Sequence, residues 1–409
     1  MNVTNVHPAH RTDEVKGVTD STPHVAGGRP LISAIIPTHN RCEALRDAID
    51  SALGQQERGV LFDLEVIVVD DASTDATRDV VAAYPNVRYI RHSTNLGAAK
   101  ARNTGIFASH GQFVAFLDDD DVWFPHCMRT LLPALIATPE ADIAYGPFAH
   151  ELDGKPTPAP DRGDPSGDIF EDLLRLTVSC CYGRMLARRN AVVAVGGHEL
   201  PVLEDLDLWL RMASTHRFTF VPADPIVVYR ASSAGTYMRM YAAGELTSYY
   251  RRVVQRGLAL RPSMPSRVKN AILDNMEILG LEHLRHASAL SWPDRLDRAL
   301  AALRAWPRLS RVPRARQVLA LLAREFVLAE GPTLATAVAL TRRIREACQP
   351  SFQVRRTLAR VWREIAVGTF RKGERSMAAA SLARAIVLDP TQTVAGLGAR
   401  FAARPRRGT

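Results

Sequence analysis

The segment that most constrains the fold is FVAFLDDDDVWFP at residues 113–125, in which four consecutive carboxylates lie between two apolar runs. A short apolar run that stops at polar residues is typical of a buried strand. Carboxylates clustered at the end of such a strand are electrostatically costly unless a cation lies beside them. The segment therefore predicts a strand that ends at a cation-binding edge of a sheet.

Asp118 and Asp120 are the residues of this cluster that we expect to act together, because residues two apart in an extended segment point the same way. Carboxylate oxygens suit Mg²⁺ or Mn²⁺, and Mg²⁺ is usually held by one or two protein carboxylates together with substrate phosphates. We therefore expect Mn²⁺ or Mg²⁺ at Asp118 and Asp120. A solvated acidic loop or the acidic start of a helix is the alternative. Asp119 and Asp121 could cap the segment that follows.

Two earlier apolar runs have the same form, LISAIIPTHN ending at Asn40 and LEVIVVDDASTDAT ending at Thr77. Continuous β-branched runs indicate strands buried on both faces, as in parallel sheets. Helical spacing of apolar residues at 42–55 separates the two runs, and strand and helix alternate up to the Asp cluster. This alternation predicts an open, doubly wound α/β sheet, in which ligands lie beyond the carboxyl ends of the strands. The residues at those ends are Pro37, Thr38, His39, Asp70, Asp71, Asp118 and Asp120.

Four motifs occur in order along this part of the chain: PTHNR at 37–41, VIVVDDASTD at 66–75, NLGAAKARNTG at 95–105 and FLDDDDVW at 116–123. Together they closely resemble the family 2 glycosyltransferases, which have the GT-A fold. The resemblance implies a GT-A-type, mostly parallel sheet and an enzyme that uses a nucleotide diphosphate sugar. It also implies that Asp71 accepts a hydrogen bond from a uracil imide N–H, which favours a UDP-sugar, while Asp70 fixes the loop. An Asx-turn with Ser73 and Thr74 is the structural alternative for both residues.

The resemblance further implies a donor pocket at these strand ends. Pro37 and His39 would line the base and ribose, and His39 stands where the family more often has Tyr. Glycine at position 97 would let the backbone approach the ligand, and Lys100 or Arg102 would meet the diphosphate. A helix that carries both cations could equally be a solvated face. The expected donor-binding residues are Pro37, His39, Asn40, Asp71, Lys100, Arg102, Asp118, Asp119 and Arg230.

Transfer with inversion is a single in-line displacement, so the acceptor hydroxyl must lose its proton to a base. GGHELPVLEDLDLWLRM at 196–212 resembles the family pattern G-G-F-x-E…E-D-x-D-L-W-x-R, in which the Asp directly after Glu is the general base. That residue is Asp205. On the acceptor side, Glu204 would orient the acceptor or brace the loop, and Trp209 would form an apolar wall. Asp207 is expected to cap a helix, and His198 to be structural.

Two features beside this site leave alternatives open. Relatives have a His two residues after their Tyr-Arg pair that can add to the metal site, but here Ser232 follows Tyr229 and Arg230. Water could complete the metal shell instead, and Arg230 could contact the diphosphate or close the loop. The Pro- and Gly-rich stretch at 150–170 could be a lid over the acceptor side or a plain surface insertion.

Charge divides the chain, because residues 1–250 hold 22 Lys and Arg against 32 Asp and Glu, whereas residues 251–409 hold 30 against 11. We therefore predict a disordered tail at 1–29, a GT-A domain at 30–250, an all-helical domain at 251–400 and a basic tail at 401–409. Residues 363–392 resemble a tetratricopeptide-type hairpin. The helical domain is expected to bind the acceptor, to form a homodimer, or both.

The same composition bears on partners and location. The basic residues lie in helical patterns without a nucleic-acid motif, which excludes nucleic acid as a partner and leaves solvated helix faces or peripheral contact with an anionic membrane. No stretch of 18 or more apolar residues and no signal peptide occurs. A cytoplasmic protein, peripheral at the inner membrane face, is the expectation. The Cys residues at 42, 127, 180, 181 and 348 are expected to be reduced thiols.

The sequence thus predicts an inverting, metal-dependent glycosyltransferase that acts on a hydroxyl of a saccharide or lipid-linked acceptor in cell-surface polysaccharide or glycoconjugate synthesis. A peptide acceptor docked on the helical domain stays open. A nucleotidyltransferase with a related sheet is the alternative enzyme class, but this sequence lacks the Gly- and Arg-rich signature that such an enzyme would have near the first strand. A catalytically inert scaffold is disfavoured by the intact Asp71, Asp120 and Asp205.

Overall fold

The computed structural model describes residues 28–152, 154–160, 163–230, 236–305, 312–330, 333–347 and 352–388. Nearly all of the predicted tail at 1–29 lies outside the described residues. So do the basic tail at 401–409, Ser232, Cys348 and the last four residues of the predicted hairpin at 363–392.

The strands form two sheets. Their bounds are β1 (Leu31–Thr38), β2 (Asp63–Asp70), β3 (Val87–Arg91), β4 (Phe113–Phe116), β5 (Val122–Trp123), β6 (Ile143–Tyr145), β7 (Ala149–Leu152), β8 (Lys155–Pro158), β9 (Met185–Arg188), β10 (Phe218–Phe220) and β11 (Val227–Tyr229). The larger sheet has the order β10-β6-β9-β4-β1-β2-β3, and the smaller sheet has the order β5-β11-β7-β8.

Helices alternate with these strands and then continue alone. Their bounds are α1 (Cys42–Leu53), α2 (Thr77–Ala82), α3 (Ala98–Ala108), α4 (Cys127–Ala137), α5 (Phe170–Leu174), α6 (Arg189–Ala194), α7 (Glu204–Thr215), α8 (Thr236–Ala242), α9 (Leu246–Leu260), α10 (Ser266–His286), α11 (Trp292–Ala305), α12 (Pro313–Glu330), α13 (Leu334–Ala347), α14 (Phe352–Arg371) and α15 (Arg375–Leu388). None of these described helices is long and apolar enough to cross a membrane.

The register of the large sheet gathers three strand ends at one edge. β1 pairs in parallel with β2 up to Thr38 opposite Asp70, and in parallel with β4 up to Ile35 opposite Phe116. β9 runs antiparallel to both β4 and β6. The loops after β1, β2 and β4 therefore leave the sheet on the same side, next to one another.

Helices cover both faces of this sheet. The apolar face of α1 buries Leu45 and Ile49 in one cluster with Ile36 of β1, while Ile106 of α3 joins Ile35 in the cluster on the other face. The helix α3 approaches so closely that a Cβ at Gly105 would lie 2.4 Å from Cγ2 of Ile35. The predicted class, a doubly wound and mostly parallel GT-A-type α/β sheet followed by an all-helical C-terminal part, is confirmed.

The helices from α10 onward bury their own core, which includes Leu281, Leu319 and Trp362. The helix α9 joins this part to the sheet-containing part, since Val253 and Val254 belong to the sheet-side core. The predicted domain boundary at residue 250 lies within α9. At the other end, α14 and α15 pack together around a tight turn with Gly373 at φ +86°.

Candidate active site

The loop after β2 is fixed by a fully buried carboxylate. Asp70 accepts hydrogen bonds from the Ser73 N–H at 2.7 Å, from the Tyr89 hydroxyl and from Arg91. Burial alone would raise the pKa of Asp70, but these donors outweigh it and lower the pKa. Asp70 therefore ties the loop after β2 to the neighbouring strand β3.

Asp71 is also buried and is held by the loop that precedes α3. Its Oδ1 accepts from the Leu96 N–H at 2.9 Å and contacts His92 Nδ1 at 2.7 Å, while its Oδ2 accepts from the Gly97 N–H at 2.7 Å. Asp71 thereby ties the loop after β2 to the start of α3. Because each carboxylate oxygen can accept two hydrogen bonds, Oδ2 retains one acceptor position. Contact with a nucleotide base stays a prediction for this residue.

The remaining strand-end residues surround this loop. His39 Nδ1 lies 2.7 Å from the Asp71 carbonyl oxygen, and Asn40, at φ +54°, accepts from the Thr74 N–H at 2.7 Å. Pro37 is buried in β1, and Lys100 is exposed on α3. Asn40 is exposed as well, and the donor contacts of all four residues stay predictions.

The four Asp residues after β4 divide into two pairs. Asp119 and Asp121 are buried, and they accept from the Thr38 hydroxyl at 2.7 Å and from the Arg230 N–H at 3.0 Å. The side chains of Asp118 and Asp120 are 28% and 26% exposed. Burial raises the pKa of Asp119 to about 6 and that of Asp121 well above its usual value. The inward pair shapes the turn, and the outward pair is partly exposed at the strand-end edge of the sheet.

Two arginines balance the outward pair. Arg41, directly after β1, donates from Nη1 to Asp119 at 2.9 Å and to Asp120 at 2.6 Å. Sequence reasoning missed Arg41, although its place at the end of β1, on the edge shared with the Asp cluster, was a usable signal. The second arginine, Arg102, is 4% exposed.

Arg102 connects the two halves of the site. Its Nη2 donates to Asp118 at 2.5 Å and its Nη1 donates to Glu204 at 2.7 Å, while its guanidinium lies 3.9 Å from the centre of the Tyr182 ring. The adjacent carboxylates raise its pKa against the opposing effect of burial. Arg102 therefore fixes the Asp cluster relative to Glu204 and Asp205, and its predicted diphosphate contact stays untested.

Asp205 lies in the first turn of α7, after Leu203 in the left-handed conformation at φ +52°. Its Oδ1 accepts from the Leu206 N–H at 2.7 Å, and the side chain is half-buried. Burial, and then the neighbouring Glu204 carboxylate, raise the pKa of Asp205 to about 7. A carboxylate with a pKa near neutrality is suited to general-base catalysis.

Two residues of the same helix do not lie where the sequence placed them. Trp209 is 0% exposed and packs against Tyr145 and Phe218, with ring centres 5.5 and 5.4 Å away, so its assignment to the acceptor side is corrected. Asp207 is buried and pairs with Arg211 at 2.8 Å and Arg256 of α9 at 2.9 Å. Asp207 lies in the acidic first turn of α7, but the cap position is Leu203 and the Asp207 carboxylate joins α7 to α9. The prediction that Asp207 caps the helix is therefore wrong.

The side chain of Arg230 lies against the small sheet. Its Nε donates to Glu151 at 3.0 Å and its Nη1 donates to Asp47 of α1 at 2.8 Å. These bonds join the end of β11 to β7 and to α1. A contact between Arg230 and the diphosphate stays a prediction.

The stretch at 150–170 is partly regular. Its first part forms the hairpin of β7 and β8, and its second part is fastened by an ion pair between Asp164 and the buried Arg184. The Tyr145 hydroxyl also donates to the Pro165 carbonyl oxygen at 2.5 Å. These anchors favour the surface-insertion interpretation over a mobile lid.

The residues present fit a divalent metal of the kind that shares its shell with phosphate. Among the described residues no three His, Cys, Asp or Glu side chains are grouped to hold one ion. Asp118 and Asp120 nevertheless offer two hard, partly exposed carboxylates at one edge, and Mg²⁺ commonly uses one or two protein carboxylates. A two-carboxylate site completed by phosphate and water is therefore compatible with this geometry.

The family model described as Glycosyl transferase family 2 matches residues 33–196, which include the ends of β1, β2 and β4. The chain carries a family 2 glycosyltransferase domain. This match confirms the family resemblance and the assignment to glycosyltransferases. It ends before Asp205, so the role of that residue rests on its own geometry and on the motif around it.

Relatives of this glycosyltransferase domain include proteins named for polysaccharide synthesis. TuaG of Bacillus subtilis, named for teichuronic acid biosynthesis, is 27% identical over 238 residues, which are 56% of this chain and 90% of TuaG. The succinoglycan biosynthesis protein ExoO of Rhizobium meliloti is 41% identical over 105 residues, which are 25% of this chain and 29% of ExoO. One similar solved structure is that of the mannosyltransferase PcManGT from Pyrobaculum calidifontis in complex with GDP-Man and Mn²⁺. Its TM-score is 0.47 and its sequence identity 22%, and the match covers 77% of this chain and 84% of the PcManGT chain.

Proposed function

We propose that this glycosyltransferase is inverting and metal-dependent, and that it moves a sugar from a nucleotide diphosphate sugar, with a UDP-sugar favoured, to a hydroxyl of a saccharide or lipid-linked acceptor. The observation that carries the proposal is the bridge from Asp118 through Arg102 to Glu204, which sets the outward Asp pair at a fixed separation from Asp205. An in-line displacement needs a held leaving group and a base on opposite sides of one sugar.

On the donor side, Asp118 and Asp120 would hold Mn²⁺ or Mg²⁺. The bound ion supplies positive charge that neutralises the departing diphosphate. Arg41 and Arg102 keep the two carboxylates in place by ion pairs at 2.6 and 2.5 Å. Asp71 and the backbone of residues 96 and 97 would form the base side of the pocket.

On the acceptor side, Asp205 would accept the proton of the attacking hydroxyl. Its Oδ1 is oriented by the Leu206 N–H, so its Oδ2 is the oxygen available to the hydroxyl. Its raised pKa makes it a stronger base than an ordinary aspartate. Glu204, held by Arg102, would brace this arrangement.

The wider role follows from charge and relatives. TuaG and ExoO are named for polysaccharide biosynthesis, which supports a role in cell-surface polysaccharide or glycoconjugate synthesis. The excess of 30 Lys and Arg over 11 Asp and Glu in residues 251–409 supports peripheral contact with the inner membrane face from the cytoplasm.

The test is a screen of UDP-, GDP- and TDP-sugars for Mn²⁺-dependent release of nucleotide diphosphate. We expect hydrolysis of at least one donor by the wild-type chain and its loss in Asp120→Ala. The matched control is Asp79→Ala, because Asp79 is an exposed Asp on α2 outside the cleft. Hydrolysis that proceeds equally in Asp120→Ala and with chelator would contradict the metal-dependent assignment.

A further inference from the structure

The helical part has a solvent-open cavity of about 620 Å³ that the sugar-transfer site does not use. It lies between α8, α10 and α12. The lining residues that matter to the argument are Tyr241, Glu282, His283, Arg285, Arg314 and Gln317. Ligand sites in proteins are commonly cavities of this size with a few convergent polar groups on apolar walls.

Two buried polar atoms in residues of the cavity wall lack partners among the described residues. His283 is 92% buried, since its relative exposure is 8%, and its Nδ1 has no hydrogen-bond partner among the described residues. The same holds for the buried Nε of Arg285. Buried polar atoms without partners are costly and uncommon in native proteins. Both residues line one cavity, so this wall of the helical part carries polar side chains that protein partners satisfy only in part.

The charge of the cavity is set by an ion pair at its rim. Arg314 donates to Glu282 from Nε at 2.9 Å and from Nη2 at 3.1 Å. With Arg285 beside this pair, the guanidinium groups outnumber the carboxylate. Guanidinium groups bind carboxylates and phosphates in a bidentate manner, so the excess favours an anionic ligand.

The cavity also connects to the acceptor side of the transfer site. The His283 ring contacts the Tyr241 ring at 5.0 Å and the Tyr250 ring of α9 at 6.3 Å. Tyr250 packs against the core cluster that contains Leu206, the neighbour of Asp205. Burial first, and then nearby groups that include the Asp205 charge, raise the pKa of Tyr250. Three rings, of Tyr241, His283 and Tyr250, therefore lead from the cavity wall to the core on the sheet side of α9.

We propose that this cavity is a second acceptor subsite, which binds an acidic saccharide unit of the acceptor at a distance from the reacting hydroxyl. Arg314 and Arg285 would hold its carboxylate, His283 and Gln317 would bond its hydroxyls, and Tyr241 would contact the apolar face of its ring. The proposal rests on the proposed sugar transfer to a saccharide acceptor. The concave shape favours a saccharide over a flat membrane surface.

The test measures binding of hexagalacturonate, with maltohexaose as the neutral counterpart, to the full chain by calorimetry. Arg314→Gln should weaken hexagalacturonate binding about tenfold, because one charge-assisted pair is lost. Glu282→Gln should strengthen it several-fold, because Arg314 is released from its carboxylate, and a folding defect cannot produce that gain. Arg342→Gln is the matched control, because Arg342 is an exposed arginine of α13 outside the cavity, and it should change binding less than twofold.

Each result decides between the two proposals. Equal affinity for both hexasaccharides, no effect of Arg314→Gln and Glu282→Gln, or binding to phosphatidylglycerol vesicles without binding to hexagalacturonate would overturn the acidic subsite. Donor hydrolysis is measured on the same samples. If donor hydrolysis is intact but hexagalacturonate does not bind, only the subsite proposal is wrong. If hexagalacturonate binds but no donor in the screen is hydrolysed, the result contradicts the proposed transferase function.

Discussion

Asp205→Asn is expected to make the protein more stable and to abolish transfer. The Asn carbonyl oxygen can still accept from the Leu206 N–H, so the first turn of α7 keeps its bond. The substitution removes a negative charge that is half-buried beside Glu204. It also removes the base, and loss of a positioned general base typically costs about 10² to 10⁴ in rate.

The size of the stability gain follows from the pKa of Asp205. Burial raises the pKa to about 7, whereas an unfolded Asp titrates near ~3.9. Between about pH 4 and 7 the unfolded chain is ionised at this residue and the folded chain is protonated, so wild-type stability falls as the pH rises. Three pKa units correspond to about 4 kcal/mol. Because the side chain retains some exposure, we expect about 1 to 3 kcal/mol at pH 8.

The assay is thermal unfolding of both proteins from pH 4 to 8, with chelator and without nucleotide. The difference in midpoint should be near zero at pH 4 and grow to several degrees by pH 8, at about 2 to 4 °C per kcal/mol. Asp207→Asn is the control of opposite sign, because that carboxylate pairs with Arg211 and Arg256, and its loss should lower the midpoint at pH 8. A constant difference across this pH range, or transfer within tenfold of wild type, would refute the reasoning.

Three further outcomes are expected. Asp118→Ala should reduce metal-dependent donor hydrolysis about a hundredfold, and calorimetric titration with Mn²⁺ should show lost ion uptake. Arg102→Met leaves the carboxylates of Asp118 and Glu204 without their shared partner, so unfolding should become easier by about 3 kcal/mol and transfer should fall more than donor binding. Trp209→Phe should leave the acceptor KM within twofold, whereas Trp209→Ala should lower stability by about 3 to 5 kcal/mol in denaturant unfolding, because the ring is a core residue.

The large sheet was predictable because its determinants are local. Apolar β-branched runs that stop at Asn40, Asp70 and Asp118 give the strands, and the rules of parallel sheets then place their ends at one edge. Asp118 and Asp120 are the partly exposed pair, as predicted, but the four Asp residues form a turn closed by a hydrogen bond from the Asp121 N–H to the Asp118 carbonyl oxygen at 3.1 Å. The extended geometry that we expected for them is therefore wrong. No distant partner was needed to place the strand ends at this edge.

The acceptor side was less predictable because distant residues decide it. Whether Trp209 faces solvent depends on β6 and β10, which cover it with Tyr145 and Phe218. Asp207 is buried and pairs with Arg256, which lies 49 residues further along the chain on α9. The sequence around Asp207 does not determine where α9 packs. A motif identifies such residues as characteristic of the family, but it does not say which of them contact a ligand and which hold the fold.

Charge explains why the bridge made by Arg102 matters to both halves of the site. Arg102 pairs with both Asp118 and Glu204, and Arg41 pairs with Asp120. Asp205 lies next to Glu204. The carboxylates outnumber these cations and a diphosphate adds negative charge, which is why we propose that the donor binds together with a divalent cation. An ion bound at Asp118 would also weaken the ion pair between Asp118 and Arg102. The ion pair between Arg102 and Glu204 would then become stronger, and it would restrict the motion of the turn that carries Asp205. Donor entry and the positioning of the base would then be coupled through one buried guanidinium.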